Sequence, residues 1–81
     1  MTEEQLNRAC KARGGIDRAN RELKSLEGIA NRKEYISLKN LYDSVDLSDY
    51  LEESDFEEIF ALIRYRIMNK RRAFRAELDN L

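Results

Sequence analysis

Apolar and small side chains recur at steps of three and four along both ends of this 81-residue chain. Near the N-terminus they are Ala9, Ala12, Ile16, Ala19, Leu23, Leu26 and Ala30, and near the C-terminus they are Phe60, Ile63, Ile67, Phe74, Leu78 and Leu81. This spacing keeps the residues on one face of a helix, as in coiled coils. The chain also has no proline, the residue that removes a backbone hydrogen bond from a helix and breaks or kinks it. The pattern predicts two long helices, each with one apolar seam.

The first helix is predicted over residues 3–31. Thr2 and Gln5 form a capping-box pattern that favours a helix start, and Gly28 or Asn31 could end the helix in a left-handed conformation. The Gly14-Gly15 pair in its middle predicts a kink or local break, since glycine is a poor helix former.

The second helix is predicted over residues 55–81, with a second capping box from Ser54 to Glu57. Each helix would have about 27 residues and measure about 40 Å, so the two can lie antiparallel along their full length. In that arrangement Gly14-Gly15 falls opposite Arg71 and could make room for its side chain.

The insert between the helices, residues 34–53, is predicted to contain a short β-hairpin. Residues alternate between apolar and polar from Tyr35 to Leu38 and from Ser44 to Ser48, with Asn40 to Asp43 as the turn. The alternative is an irregular loop followed by a short helix from Ser48 to Glu53.

The predicted fold is a single mainly α domain, a coiled-coil-like antiparallel helical hairpin with a short β-hairpin or loop insert. Two helices leave one flank of each seam uncovered, so we expect a dimer or tetramer that forms a helix bundle. The predicted oligomer seam consists of Ile16, Leu23, Leu26, Phe60, Ile63, Ile67, Phe74 and Leu78.

Charge is strongly segregated, although the net charge is only -1. Six basic residues and no acidic one lie between Arg64 and Arg75. Arginine binds phosphates in a bidentate manner, so this stretch is a candidate anion site. Helical geometry groups Arg64, Lys70, Arg71 and Arg75 broadly together and directs Arg66 and Arg72 elsewhere, so the basic cover is wide and not one sharp stripe. Tyr65 is included with the grouped residues as a candidate to contact a bound anion. The alternative is a solvated face whose charges pair with Glu22, Glu27 or an acidic segment of a neighbouring subunit.

Eight carboxylates and no basic residue lie between Asp43 and Glu58. Aromatic residues within this acidic stretch are suitable anchors for a protein interface with a basic partner. The candidate interface residues are Tyr42, Asp46, Asp49, Tyr50, Glu53 and Phe56. The alternative role of these acids is to match the helix dipole and to keep the protein soluble.

Several classes of chemistry have no support in the sequence. There is no histidine, and therefore no imidazole base or triad, and the single Cys10 has no partner for a disulfide or a metal site. Asp43, Asp46 and Asp49 lack the glycine and bidentate glutamate of a calcium loop. We expect a protein that is not an enzyme and has neither cofactor nor metal.

The chain has no apolar run long enough to cross a bilayer and starts with a charged segment, so a cytoplasmic location without membrane contact is expected. Its expected function is protein binding. The alternatives are an oligomer that sequesters a nucleotide or another small anion, nucleic-acid binding through the basic helix, and a purely structural component. The negative net charge disfavours the nucleic-acid alternative.

The segments LKSLEGIANRKEY, YISLKNLYDSVDLSDYL and ESDFEEIFALIRYRIMNKRRAFRAELDNL together resemble small uncharacterised helical-hairpin proteins of phages and prophages. This resemblance of pattern implies an accessory protein in the bacterial cytoplasm. Such a protein would inhibit a host or defence factor by binding it or by sequestering a nucleotide signal.

Overall fold

A computed structural model describes residues 2–32 and 36–81. The elements, in order, are α1 (Glu3–Arg32), β1 (Ser37–Lys39), β2 (Ser44–Asp46), a 3₁₀ helix (Leu47–Asp49) and α2 (Glu53–Asp79). The two long helices and the small antiparallel sheet confirm the predicted mainly helical hairpin with a β-hairpin insert.

Helix α1 begins at the predicted capping box. The Thr2 N–H donates to Gln5 Oε1 at 3.0 Å, and the Gln5 N–H donates to Thr2 Oγ1 at 3.1 Å. The local break predicted as one possibility at Gly14-Gly15 is not formed, because α1 continues without interruption from Glu3 to Arg32. Contacts with α2, such as that between Gly15 and Phe74, keep the helix continuous despite the low helix propensity of glycine.

Helix α2 begins earlier than its predicted start at residue 55. Its first residue is Glu53, and the Glu52 N–H donates to Asp55 Oδ2 at 2.9 Å. The predicted cap at Ser54 is therefore wrong, and Ser54 lies inside the first turn. Packing of Leu51 against the core fixes where the chain enters the helix.

The β-hairpin is anchored at its base and free at its end. Leu38 pairs directly with Val45, and the Leu47 N–H donates to the Ile36 carbonyl oxygen at 2.9 Å. The Ile36 N–H also donates to Ser48 Oγ at 3.1 Å. Tyr35, the predicted first residue of the hairpin, lies outside the described residues.

The core is a small cluster at the end of the hairpin that carries the insert. Leu26, Phe56 and Phe60 are buried there, and the two phenyl rings stack with centroids 6.1 Å apart. Ile36 and Leu47 pack against this cluster from the insert. The base of the β-hairpin is thus part of the core.

Away from this cluster, α1 and α2 pack closely through small residues. Ala9, Ala12 and Ala19 are buried, and Arg8 lies 3.5 Å from Glu77 in an exposed ion pair. The contacts pair early residues of α1 with late residues of α2, so the helices are antiparallel.

The eight residues of the predicted oligomer seam lie on the facing sides of these two helices. Leu26 and Phe60 are buried, and Ile63 is 40% exposed. The other five, which are half-buried, are Ile16, Leu23, Ile67, Phe74 and Leu78. The seam thus serves first to join the two helices of one chain, and self-assembly stays a prediction.

The molecule is long and thin, with extents of 53 × 28 × 15 Å and a radius of gyration of 16.7 Å. A compact chain of this length would have a radius of gyration of about 12 Å. A thickness of 15 Å corresponds to one layer of helices. Neither long helix is apolar enough over 18 residues to cross a membrane, within the described residues.

Candidate functional site

The free end of the β-hairpin carries a group of exposed apolar side chains. We call Leu38, Leu41, Tyr42 and Val45 the hairpin tip. Leu41 is 92% exposed, Tyr42 89% and Leu38 67%. Leu38 and Val45 are direct cross-strand partners, so their side chains lie on the same face of the ribbon. Large apolar side chains so fully in water are a candidate docking surface.

The turn that presents Leu41 and Tyr42 is ordered by its own backbone and by Asn40. Asn40 Oδ1 accepts hydrogen bonds from the N–H groups of Tyr42 and Asp43, each at 2.8 Å. The Asn40 N–H donates to the Asp43 carbonyl oxygen at 2.9 Å. Because the Asx geometry fixes the turn, the side chains of Leu41 and Tyr42 are not needed to form it.

Carboxylates lie along the hairpin and the 3₁₀ helix that follows it. Asp43, Asp46 and Asp49 are exposed, and Asp46 Oδ1 accepts the Ser48 N–H at 3.0 Å at the start of the 3₁₀ helix. Within β1 and β2 and the turn between them, Lys39 is the one basic residue. The surroundings of the tip are therefore acidic.

The predicted protein-interface residues divide into two groups. Tyr42, Asp46, Asp49, Tyr50 and Glu53 are exposed, as an interface requires. Phe56 is only 7% exposed and stacks on Phe60, so its assignment to the surface is wrong. Phe56 and Phe60 are four residues apart on α2, so they lie on the same helix face. This spacing is a sequence signal that Phe56 is buried together with Phe60.

The sequence analysis missed Leu38, Leu41 and Val45 as surface residues. The available signal was the length of the insert, since a single two-stranded ribbon has no second layer to cover its apolar face. Leu41 stands in the turn itself, where no strand pairing could bury it.

The five residues of the predicted anion site do not converge. Lys70 lines a groove between α1 and α2 together with Arg66. Arg71 and Arg75 line a separate recess together with Met68 and Arg72. Arg64 and Tyr65 line neither.

The predicted grouping is therefore wrong for Lys70, which shares the groove with Arg66, and for Arg72, which shares the recess with Arg71 and Arg75. Arg66 lies four residues before Lys70, and Arg72 lies three before Arg75, so each pair shares a helix face. The six basic residues cover both flanks of α2, so they do not form one stripe.

These basic side chains have few partners of their own. Within residues 2–32 and 36–81, none of the six lies within 4.0 Å of a carboxylate oxygen. Arg71 Nη1 donates to Asn20 Oδ1 at 2.8 Å, and Glu22 pairs with Arg18 on its own helix. The expected pairing of α2 with Glu22 or Glu27 is thus not formed within the described part of the chain.

Antiparallel packing places a basic segment of α1 beside the basic segment of α2. Contacts such as Asn20 with Arg71 place residues 13–24 of α1 alongside residues 64–75 of α2. We call these two segments the basic band, which holds ten basic and two acidic residues. The molecule therefore has a basic middle and an acidic end at the insert.

Among the described residues, no group of three Cys, Asp or Glu side chains is placed to hold a metal ion. Cys10 is exposed on α1 and is not in a disulfide.

No family model matches the sequence, and neither the curated proteins nor the solved structures contain a match to this chain.

Proposed function

We propose that this chain is a protein-binding module that docks a basic partner protein through the hairpin tip. The observation that carries the proposal is the exposure of Leu38, Leu41 and Tyr42 on a β-hairpin whose turn is fixed by Asn40 and does not need the side chains of Leu41 and Tyr42. Protein interfaces are built around a few such apolar and aromatic anchors, surrounded by polar residues.

The free energy that a partner would gain by burying these apolar side chains supports this role. Burying one large apolar side chain contributes about 1.5–3 kcal/mol. Leu41 and Tyr42 contribute almost none of this to folding, because both are about nine-tenths exposed. A partner with a matching pocket would therefore recover that free energy on binding.

The charges around the tip indicate the kind of partner. Asp43 in the turn and Asp46 at the end of β2 are exposed and outnumber the single Lys39 of the hairpin, so a basic surface would be attracted and an acidic one repelled. Electrostatic complementarity of this kind mainly raises the association rate and weakens with salt, since the Debye length is about 8 Å at physiological ionic strength. Binding should therefore become slower at high salt.

We further propose that the module acts as a homo-oligomer. The single layer of helices leaves apolar side chains such as Leu6 and Ile29 exposed. A second copy packed on this layer would cover them and enlarge a small core. It would also present two tips, which raises the avidity for a repetitive partner.

The test compares two double variants with the same chemical change. Leu41→Ser/Tyr42→Ser alters the tip, and Leu62→Ser/Tyr65→Ser alters an exposed Leu and Tyr on α2, which are 55% and 61% exposed. Each variant and the unchanged protein would be used to capture proteins from cells, with a photo-reactive phenylalanine at position 42 or 65 for cross-linking.

We expect one protein to be retained by the unchanged chain and by the α2 variant, lost by the tip variant, and cross-linked from position 42. Retention of the same protein by the tip variant, or cross-linking from position 65 alone, would contradict docking through the tip. Circular dichroism would verify that both variants keep their helix content.

A further inference from the structure

A groove of about 630 Å³ lies between α1 and α2 beside the two central glycines. Its size is within the range of about 300–1,000 Å³ typical of small-molecule sites. It is part of the basic band and lies on the helices, outside the hairpin tip. Nothing in the proposed docking function uses it.

The floor of the groove is apolar. Ala19, Ile67 and Phe74 line it, and the ring of Phe74 rests against the backbone of α1 at Gly15. A Cβ at Gly15 would stand 2.5 Å from two ring carbons of Phe74, so only glycine leaves room for this ring. The half-buried ring lines the groove and is available for contact with an apolar group there.

Gly14 has no such neighbour among the described residues. A Cβ built there would meet nothing within 4 Å, although Gly14 also lines the groove. Glycine inside a helix is less favourable than alanine, and packing within the chain does not require it here. The bare backbone at Gly14 does allow close approach by a molecule in the groove.

The rim of the groove carries excess positive charge. Arg18 is paired with Glu22 at 3.0 Å, so these two charges balance each other. Arg66 and Lys70 have no carboxylate within 4.0 Å among the described residues. They are four residues apart on α2, and like charges at this spacing destabilise a helix. An anion placed between them would remove that repulsion.

We propose that the groove binds a small amphipathic anion. The ligand has a flat apolar body, which lies on Phe74 and passes over Gly14, and a carboxylate or phosphate that lies between Arg66 and Lys70. The apolar floor and the unpaired cations are both required, so neither a free inorganic anion nor a neutral apolar molecule is a full match.

The experiment uses four probes that separate these requirements. 2-Naphthoate and 2-naphthyl phosphate carry the apolar body with a carboxylate or a phosphate, 2-naphthalenemethanol carries the body without charge, and inorganic phosphate carries the charge alone. Binding to the full chain would be measured by calorimetry, and by amide NMR to locate the site.

We expect at least one charged naphthyl probe to bind about tenfold more tightly than either comparator, with shifts at Gly14 and Gly15. The probe that binds more tightly of the two identifies the preferred anion.

The variant Arg66→Gln/Lys70→Gln should lose about tenfold in affinity for that probe. Arg72→Gln/Arg75→Gln removes the same charge outside the groove and should change affinity by less than about twofold. Gly14→Leu should abolish binding while it keeps the helix content, because the space around Gly14 is open.

Four results would overturn the proposal. The first is equal binding of 2-naphthalenemethanol, which would leave the cations without a role. The second is equal binding of inorganic phosphate, which would leave the floor without a role. The third is an equal loss of probe affinity in Arg66→Gln/Lys70→Gln and in Arg72→Gln/Arg75→Gln, which would mean that the probe is attracted to the basic band in general. The fourth is a probe affinity that falls as protein concentration rises, which would make a second copy of the chain the occupant of the groove.

Discussion

Adding one methyl group at Gly15 should destabilise this protein, whereas adding the same group at Gly14 should stabilise it. The two positions are adjacent in α1, so both substitutions gain about 1 kcal/mol of helix propensity. They differ in what the new Cβ meets. At Gly14 it meets nothing within 4 Å, and at Gly15 it stands 2.5 Å from Cδ2 and Cε2 of Phe74.

The magnitude follows from the displacement that this contact forces. Carbon atoms pack at about 3.5–4.0 Å, so the ring of Phe74 must move by about 1 Å. Overpacking of this kind costs about 1–3 kcal/mol. Gly15→Ala should therefore lower the free energy of unfolding by up to about 2 kcal/mol after the propensity gain is subtracted. Gly14→Ala should raise it by about 1 kcal/mol.

Urea unfolding followed by circular dichroism measures both changes, at one protein concentration because self-association would raise the apparent stability. Phe74→Ala supplies the control, because it removes the ring that the new Cβ at Gly15 would meet. In the Phe74→Ala background, Gly15→Ala should raise the free energy of unfolding by about 1 kcal/mol, as Gly14→Ala does. If Gly15→Ala and Gly14→Ala stabilised the unchanged chain equally, Phe74 could not lie on Gly15, and the pairing of α1 with α2 would be wrong.

Three other substitutions test the core, the surface and the assembly. Phe56→Ala removes a buried ring stacked on Phe60 and should cost about 3 kcal/mol or more, measured by urea unfolding; a cost below about 1 kcal/mol would place the ring outside the core. Arg8→Ala breaks the exposed pair with Glu77 and should change the unfolding free energy by less than about 0.5 kcal/mol in the same assay, so a larger loss would indicate a role beyond this pair. Leu23→Asp places a charge in the half-buried seam and should reduce both the helix content and the subunit number in native mass spectrometry. An unchanged mass and helicity would mean that Leu23 is not part of the packed seam.

The function expected from the sequence stays a prediction at every level of detail. The resemblance to small phage-encoded proteins stays a prediction, as do the bacterial cytoplasmic location and the inhibition of a host factor that it implies. The same holds for nucleotide sequestration through Arg64, Tyr65, Lys70, Arg71 and Arg75, for nucleic-acid binding and for a purely structural role. Separation of Lys70 from Arg71 and Arg75 on two sides of α2 favours a groove site over the one predicted from the sequence.

Local patterns were enough to predict the elements of this fold. The three-four spacing of apolar residues predicts both helices, and the Thr2 and Gln5 box marks the start of α1. Alternation around Asn40 predicts the β-hairpin. Each of these signals depends on residues that are close together in sequence. The relative positions of such residues follow from the local backbone conformation alone.

Choices between equivalent local signals were decided by tertiary contacts. Both Ser54 and Glu52 precede an acidic residue by three positions, and packing of Leu51 on the core selects Glu52 as the residue before α2. Phe56 stands in an acidic run that suggests a surface, yet contact with Phe60 and Leu26 buries it.

Patterns along the chain predict the two helices, the small hairpin and the separation of acidic from basic segments. Contacts between the helices, in contrast, establish that Gly15 makes room for Phe74 instead of Arg71, that Arg66 joins Lys70 at one groove, and that residues 13–24 lie beside residues 64–75. This difference arises from the relative position of two antiparallel helices. A shift of one turn moves every cross-helix contact by about 5.4 Å and leaves each helix's own pattern unchanged. The packing of side chains between the helices therefore selects the pairing, and local sequence patterns do not encode it.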